Sequence, residues 1–272
     1  MTTNDILTTT LRRACATAVL FLAAGAAQAV DVTGSLVTTD EKPFTGVIKW
    51  KGSTRVYIIS NKGVELEVPP TKIKEMSITE PAGYKEAVKA VQEGHPQQAI
   101  PVLERIAQDY VMLQWDEPAT RALAEAYLKD GKSADAVRAC EKVIAVKPEA
   151  AYVGEMAPIY WQALLKSDRA TKLESLLEQA IMTGGAEATA FALIMRGDIL
   201  FAKGDFKAAL KDGYLRVITL FRSVRTAQAE ALFKAAKAFD QINQAPRAEM
   251  MRKQLLSEYG SSDWANQVKG GK

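Results

Sequence analysis

Two periodicities divide this chain. Between Val32 and Thr79 apolar and polar residues alternate, and from Pro81 onward apolar residues recur every three to four positions. In the first region Val64-Glu65-Leu66-Glu67-Val68 alternates strictly, which predicts a half-buried strand. Residues 45–51 (TGVIKWK) and 55–60 (RVYIIS) are β-branched and aromatic runs. Gly52-Ser53 and Asn61-Lys62-Gly63 supply turn chemistry between them. Ile73, Met76 and Ile78 predict a further strand after Pro69-Pro70, and residues 31–38 predict one before. Short antiparallel strands of this number usually curl on themselves, so a small antiparallel β-barrel or sheet is expected.

The second region is helical. Leu123, Ala124, Tyr127 and Leu128 form one apolar stripe that Gly131 interrupts, and Ala136, Val137, Cys140, Val143 and Ile144 form another that stops at Pro148. The Asp130-Gly131-Lys132 turn leaves only an antiparallel hairpin, and the small Ala124 and Ala136 allow its helices to approach closely. Such a hairpin cannot bury its apolar face alone. Equivalent turns fall at Gly94, Gly131, Asp168, Gly204 and Asn243, with spacings of 37, 37, 36 and 39 residues. Five residues after each turn stands Ala99, Ala136, Leu173, Ala209 or Ala248; seven before stands Ala87, Ala124, Trp161, Gly197 or Ala236. Small residues hold nearly all of these places, and Trp161 breaks the pattern in the third unit. The expected fold class is therefore mainly α: an α-solenoid of about five helical hairpins behind the β segment. The apolar loop 109–117 (DYVMLQWDE) is expected to tuck between repeats, and Gly184-Gly185 to form a hinge between early and late ones.

The stretch 116–150 resembles a tetratricopeptide (TPR) repeat. Leu123, Ala124, Tyr127, Gly131, Ala136, Ile144 and Pro148 stand at that family's offsets, although the family usually has a small residue at the place of Ile144 and Trp at the place of Thr120. The order of runs and turns in the β segment resembles SH3-like or Sm-like barrels. The ending QLLSEYGSSDWA resembles an inter-repeat step common in exported bacterial TPR proteins, with Gly260 where Pro is usual.

Before either region, Arg12 and Arg13 precede the apolar run ACATAVLFLAAGA, which ends at Ala27-Gln28-Ala29. That order is the pattern of a secretory signal peptide, too short to span a bilayer comfortably. The expected organisation is thus signal peptide 1–29, small β module 30–79 and helical repeats 80–272, with export to the periplasm or beyond and no transmembrane span in the mature chain.

Candidate chemistry is sparse. The net charge of +3 does not point to nucleic acid. One histidine (His95) and two cysteines (Cys15 in the leader, Cys140 on an apolar helical face) cannot assemble a usual zinc site. Phosphate-loop and nucleophile-elbow motifs are lacking, so no enzyme, cofactor or metal is expected.

The TPR resemblance implies binding of a protein or peptide partner along the first helix of each hairpin. By offset that face carries Tyr84; Arg121, Glu125 and Lys129; Gln162 and Lys166; Asp198 and Phe201; Phe233 and Lys237. The expected function is a non-enzymatic cell-envelope scaffold. The alternative is an envelope glycan- or peptidoglycan-binding protein that uses the β module, with the helices as a spacer; the resemblance to barrels that often bind peptides or RNA makes Lys49, Trp50 and Tyr57 a candidate ligand surface there. Against a ligand surface stands the reading of those aromatics as part of the module's own core or of its contact with the first helix, a fixed docking favoured by the short linker Glu80-Pro81-Ala82-Gly83.

Overall fold

In the computed structural model, which describes residues 31–270, the alternating region forms five strands: β1 (Thr33–Thr38), β2 (Pro43–Lys51), β3 (Val56–Asn61), β4 (Val64–Val68) and β5 (Ile73–Ile78). The expected leader, residues 1–29, lies outside the described residues. All pairings are antiparallel, in the order β4-β3-β2-β1-β5. A 3-10 turn at Pro70–Lys72 carries the chain from β4 to β5. Among the described residues β4 and β5 do not pair, so this is an open sheet with two edges. β4 corrects the expectation of a half-buried strand. Only Val68 is buried, whereas Val64 and Leu66 are 70% and 37% exposed, because β4 is an edge of the sheet and, among the described residues, its outer end is left uncovered.

The helices form five hairpins. They are α1 (Tyr84–Gln92) with α2 (Pro96–Asp109), α3 (Asp116–Lys129) with α4 (Ser133–Ile144), and α5 (Met156–Lys166) with α6 (Ala170–Thr183). In the fourth, α7 (Gly185–Ala202) meets a second helix in three parts: α8 (Phe206–Ala208), a π segment at Ala209–Tyr214, and α9 (Leu215–Leu220). The fifth joins α10 (Arg225–Gln241) to α11 (Ala245–Glu258), and α12 (Asp263–Lys269) follows. The first helices α1, α3, α5, α7 and α10 pack in succession, and each second helix also packs on the next first helix. This is a TPR-like α-solenoid.

One local device makes every hairpin. Gly94, Gly131, Asp168, Gly204 and Asn243 all take positive φ, between 57° and 87°. In each, the next residue donates its N–H to the carbonyl five residues back: His95 to Ala90, Lys132 to Tyr127, Arg169 to Leu164, Asp205 to Leu200 and Gln244 to Phe239, at 2.8–3.0 Å. A second bond runs from each marker's own N–H to the carbonyl three residues back. This is a Schellman ending, which satisfies carbonyls that the helix would otherwise leave unpaired and turns the chain back. It requires a left-handed residue, and Gly, Asn and Asp reach that conformation at least cost.

The small positions then set helix approach. Ala99, Ala136, Ala209, Ala248, Ala87, Ala124 and Ala236 are all at most 4% exposed. In the third hairpin Trp161 and Leu173 are wholly buried instead, and α5 and α6 stand farther apart. Trp161 finds a partner for its indole N–H in the Ala151 carbonyl at 2.9 Å. The π segment accounts for one of the two or three residues by which the last spacing exceeds the others: it takes up an extra residue, as π bulges do, where Gly213 meets Gly197 and Tyr214 lies on Gly197.

The expected hinge at Gly184-Gly185 is a break in the chain but not in the packing. Ala188, Ala192 and Met195 of α7 join the core of the early hairpins, while Ala190, Leu193 and Ile194 join the late core. α7 is shared by both.

Loop 110–115 also corrects the expectation. It does not tuck between repeats but packs on the sheet. Leu113, Tyr110 and Ile106 join Val32, Leu36, Ile48, Tyr57 and Ile78 in one core. Burying an apolar side chain of this size contributes about 1.5–3 kcal/mol, so several of them, held by polar bonds as well, make sheet and first hairpins one body.

Candidate functional site

The stripe Arg121, Glu125 and Lys129 lies on one side of α3, as four-residue spacing requires. Its charges reach both neighbours. Arg121 pairs with Glu155, the residue that leads into α5. Lys129 pairs with Glu125 at 3.0 Å and donates to the Val91 carbonyl in the last turn of α1 at 2.8 Å. Tyr84 opens α1 and is partly buried, its ring edge-on to Trp115 at 5.1 Å. Burial pushes its phenol above the usual value, the Arg121 charge pulls it down, and Glu80 adds to the rise. Gln162 and Lys166 stand on α5, the next first helix along, and both are exposed. These six residues therefore occupy three consecutive first helices, with both charge signs accessible to solvent.

Farther along, the predicted residues are engaged within the chain. Asp198 accepts a hydrogen bond from Tyr214 OH at 2.8 Å and pairs with Lys234 at 2.5 Å; Lys234 also pairs with Glu230 at 2.6 Å. Burial works against the Lys234 ammonium, but Glu230 and Asp198 outweigh it and raise its pKa. Burial also raises the Tyr214 phenol, and the Asp198 charge adds to the rise. Asp198 is thus a joint between α7, the π segment and α10. Phe201 packs edge-on against Phe206 at 4.9 Å. Phe233 is covered by Trp264 of α12 at 5.1 Å, and Lys237 stands over the Phe233 ring, 5.3 Å from its centre. Sequence reasoning overlooked α12, for which the Ser262-Asp263 start was the available signal. Ser262 Oγ accepts the Ala265 N–H as an N-cap.

In the β module, Tyr57 OH donates to the Met112 carbonyl at 3.0 Å, and Trp50 packs against the Tyr57 ring at 4.8 Å. Lys49 is exposed and pairs with Asp31 at 3.3 Å. His95 sits at the start of α2 without a side-chain capping bond. Among the described residues there is no group of three or more His, Cys, Asp and Glu placed to hold a metal, and no helix long and apolar enough to cross a membrane.

No protein-family model matches the sequence, and no curated protein matches it. Solved structures similar to the chain include a Podosopora anserina protein described as a kinesin light chain with nearly identical TPR-like repeats. It is 17% identical, with a TM-score of 0.43 over 67% of this chain and 95% of that one. A single-substitution form of that same protein gives 17% identity and a TM-score of 0.45 over 66% and 96%. A structure titled MamA MSR-1 C2 gives 17% and 0.37 over 66% and 97%. The repeat fold of this chain rests on its own five turns and helix packing.

Proposed function

We propose that this chain is a non-enzymatic adaptor, exported to the cell envelope, that holds a protein or peptide partner across its early first helices. The observation that carries this reading is the surface formed by Tyr84, Arg121, Glu125, Lys129, Gln162 and Lys166. An aromatic edge lies beside cations and a carboxylate there, all presented by rigid helices. Such a mixture suits an extended segment that offers both carboxylate and apolar groups. The leader pattern of residues 1–29 supports export. The glycan-binding alternative draws no support from Tyr57, whose hydroxyl is committed to the Met112 carbonyl.

Because sheet and helices share a core, the test uses the full chain. A photo-crosslinker placed at Gln162, and in a second protein at the exposed end of β4 (Val64), is activated in the native envelope, and adducts are read by mass spectrometry. The expected result is a specific adduct from position 162 and none from position 64. Adducts from position 64 alone would move partner binding to the β module.

A further inference from the structure

Large apolar side chains left exposed by a folded chain are normally scattered singly and mean little. In the helical region they are not scattered. Val111, Val146, Met182, Leu220 and Leu256 are between 37% and 82% exposed. Each stands within two residues of the end of a second helix, one for every hairpin. Their spacings of 35, 36, 38 and 36 residues follow the repeat. Among the described residues of the helical region, Met250 in the middle of α11 is the one other large apolar side chain as open as these.

Each second helix packs on the next first helix, so the hairpins stack in one sense and their like ends share an edge. Val111 and Val146 show this directly, since both border the cavity between α2 and α4. The five side chains form a broken ridge along the edge where one hairpin leads into the next, opposite the edge of the Schellman turns. A row of single side chains builds no groove for one small ligand. It makes a line of contact with a surface.

Charge identifies that surface. In the fourth hairpin Arg216 lies one turn before Leu220, and Arg222 lies two residues after it. Both are exposed, and among the described residues neither is paired with a carboxylate. Residues 203–222 carry Lys203, Lys207, Lys211, Arg216 and Arg222 against Asp205 and Asp212. Asp109 and Glu178 put the opposite sign beside the ridge in the first and third hairpins, so the basic contact centres on the fourth. Cations beside exposed apolar side chains suit an anionic lipid surface, which draws the charge to its phosphates and receives the apolar groups at the headgroup level. A second copy suits this edge less well, because a two-fold contact centred on the fourth hairpin would set the arginines against their own copies.

We propose that this edge of the solenoid lies on an anionic phospholipid bilayer. Met182 and Leu220 enter the headgroup layer, and Arg216 and Arg222 meet lipid phosphates. The contact is separate from the proposed partner surface on the first helices and does not depend on it.

The test is flotation of the mature chain (residues 30–272) with vesicles of phosphatidylethanolamine and phosphatidylglycerol, compared with vesicles of phosphatidylcholine alone. The chain is expected to float with the anionic vesicles, about tenfold or more weakly with the neutral ones, and less as salt is raised. Met182→Ser/Leu220→Ser should leave thermal unfolding near normal and weaken binding to anionic vesicles about fivefold or more. Arg216→Gln/Arg222→Gln should weaken it by a similar factor. Met250→Ser, off the ridge, should bind as wild type does. Absence of flotation with anionic vesicles would overturn the proposal, as would undiminished binding by the two double variants or an equal loss in Met250→Ser. A dimer that forms without lipid and is abolished by Met182→Ser/Leu220→Ser would give the edge to a second copy and overturn it as well.

Discussion

Gln114 completes the open edge of β5 at Ile78: its Oε1 accepts the Ile78 N–H at 3.2 Å, and its Nε2 donates to the Met76 carbonyl at 2.8 Å. One side chain thus takes the part of a missing strand, the place where sheet edges most often need cover. Next to it Trp115 Nε1 donates to the Ile78 carbonyl at 3.1 Å. The loop holds this pose with Met112 and Gln114 both at positive φ, 62° and 70°. Gln114→Ala should cost about 1–3 kcal/mol in urea unfolding, the penalty for leaving two backbone groups unpaired, and should speed hydrogen exchange at Ile78. Unchanged exchange there would mean that the edge is held by packing alone.

What was legible in the sequence, and what was not, follows from the range of the forces. The five turns could be read because a Schellman ending demands a residue at ease with positive φ, and Gly94, Gly131, Asp168, Gly204 and Asn243 announce it locally. The strands could be read because alternation is local as well. Gln114 could not, because its partners at Met76 and Ile78 stand 38 and 36 residues away. Asp198 presented the same difficulty: its offset matched the ligand face, but Tyr214 and Lys234 come to it from two other helical segments. The last spacing, 39 residues, exceeds the others by two or three, but nothing local said that a π segment would take up one of them.

The glycines divide into two kinds, and mutation should separate them. At Gly131 an added Cβ meets nothing within 4 Å, so Gly131→Ala should cost only the left-handed backbone, about 1–2 kcal/mol. At Gly213 it would lie 2.6 Å from the Gly197 Cα and 2.9 Å from the Leu193 carbonyl, in backbone that cannot yield. Gly213→Ala should cost about 3 kcal/mol or more. Urea midpoints in the opposite order would contradict the close crossing of α7 and the π segment.

Cys140 should be inert while the chain is folded. It is 0% exposed, and burial pushes its thiol up to about 12. At pH 8 roughly one molecule in ten thousand would then hold a thiolate. A thiol reagent should label it at the rate of unfolding and quickly in denaturant; fast labelling without denaturant would place Cys140 outside the core.

Acid should reveal the cluster between α4 and α6. Lys172, at 2.8 Å, holds the Glu141 carboxyl below the usual carboxylate range, with Tyr160 OH at 3.2 Å and Arg169 at 3.7 Å contributing. A carboxylate with a lowered folded pKa binds fewer protons in the folded state. Its contribution is therefore complete above the ordinary carboxylate pKa and is lost as pH falls through the lowered value. Both side chains are partly exposed, so Lys172→Met should cost about 1 kcal/mol or less at neutral pH. The difference from wild type should close on acidification, and a gap of constant size down to low pH would assign the effect to lost packing.

The central claim, that a partner lies across the early first helices, is tested most directly by the affinity of the captured partner for Arg121→Ala/Lys129→Ala. Lys253→Ala, an exposed lysine on α11, serves as control. The expected result is a double variant with near-normal thermal unfolding whose partner affinity falls about tenfold or more, roughly the loss of two charge-assisted contacts, while the control binds as wild type does. Equal affinity for a folded double variant and wild type would contradict it.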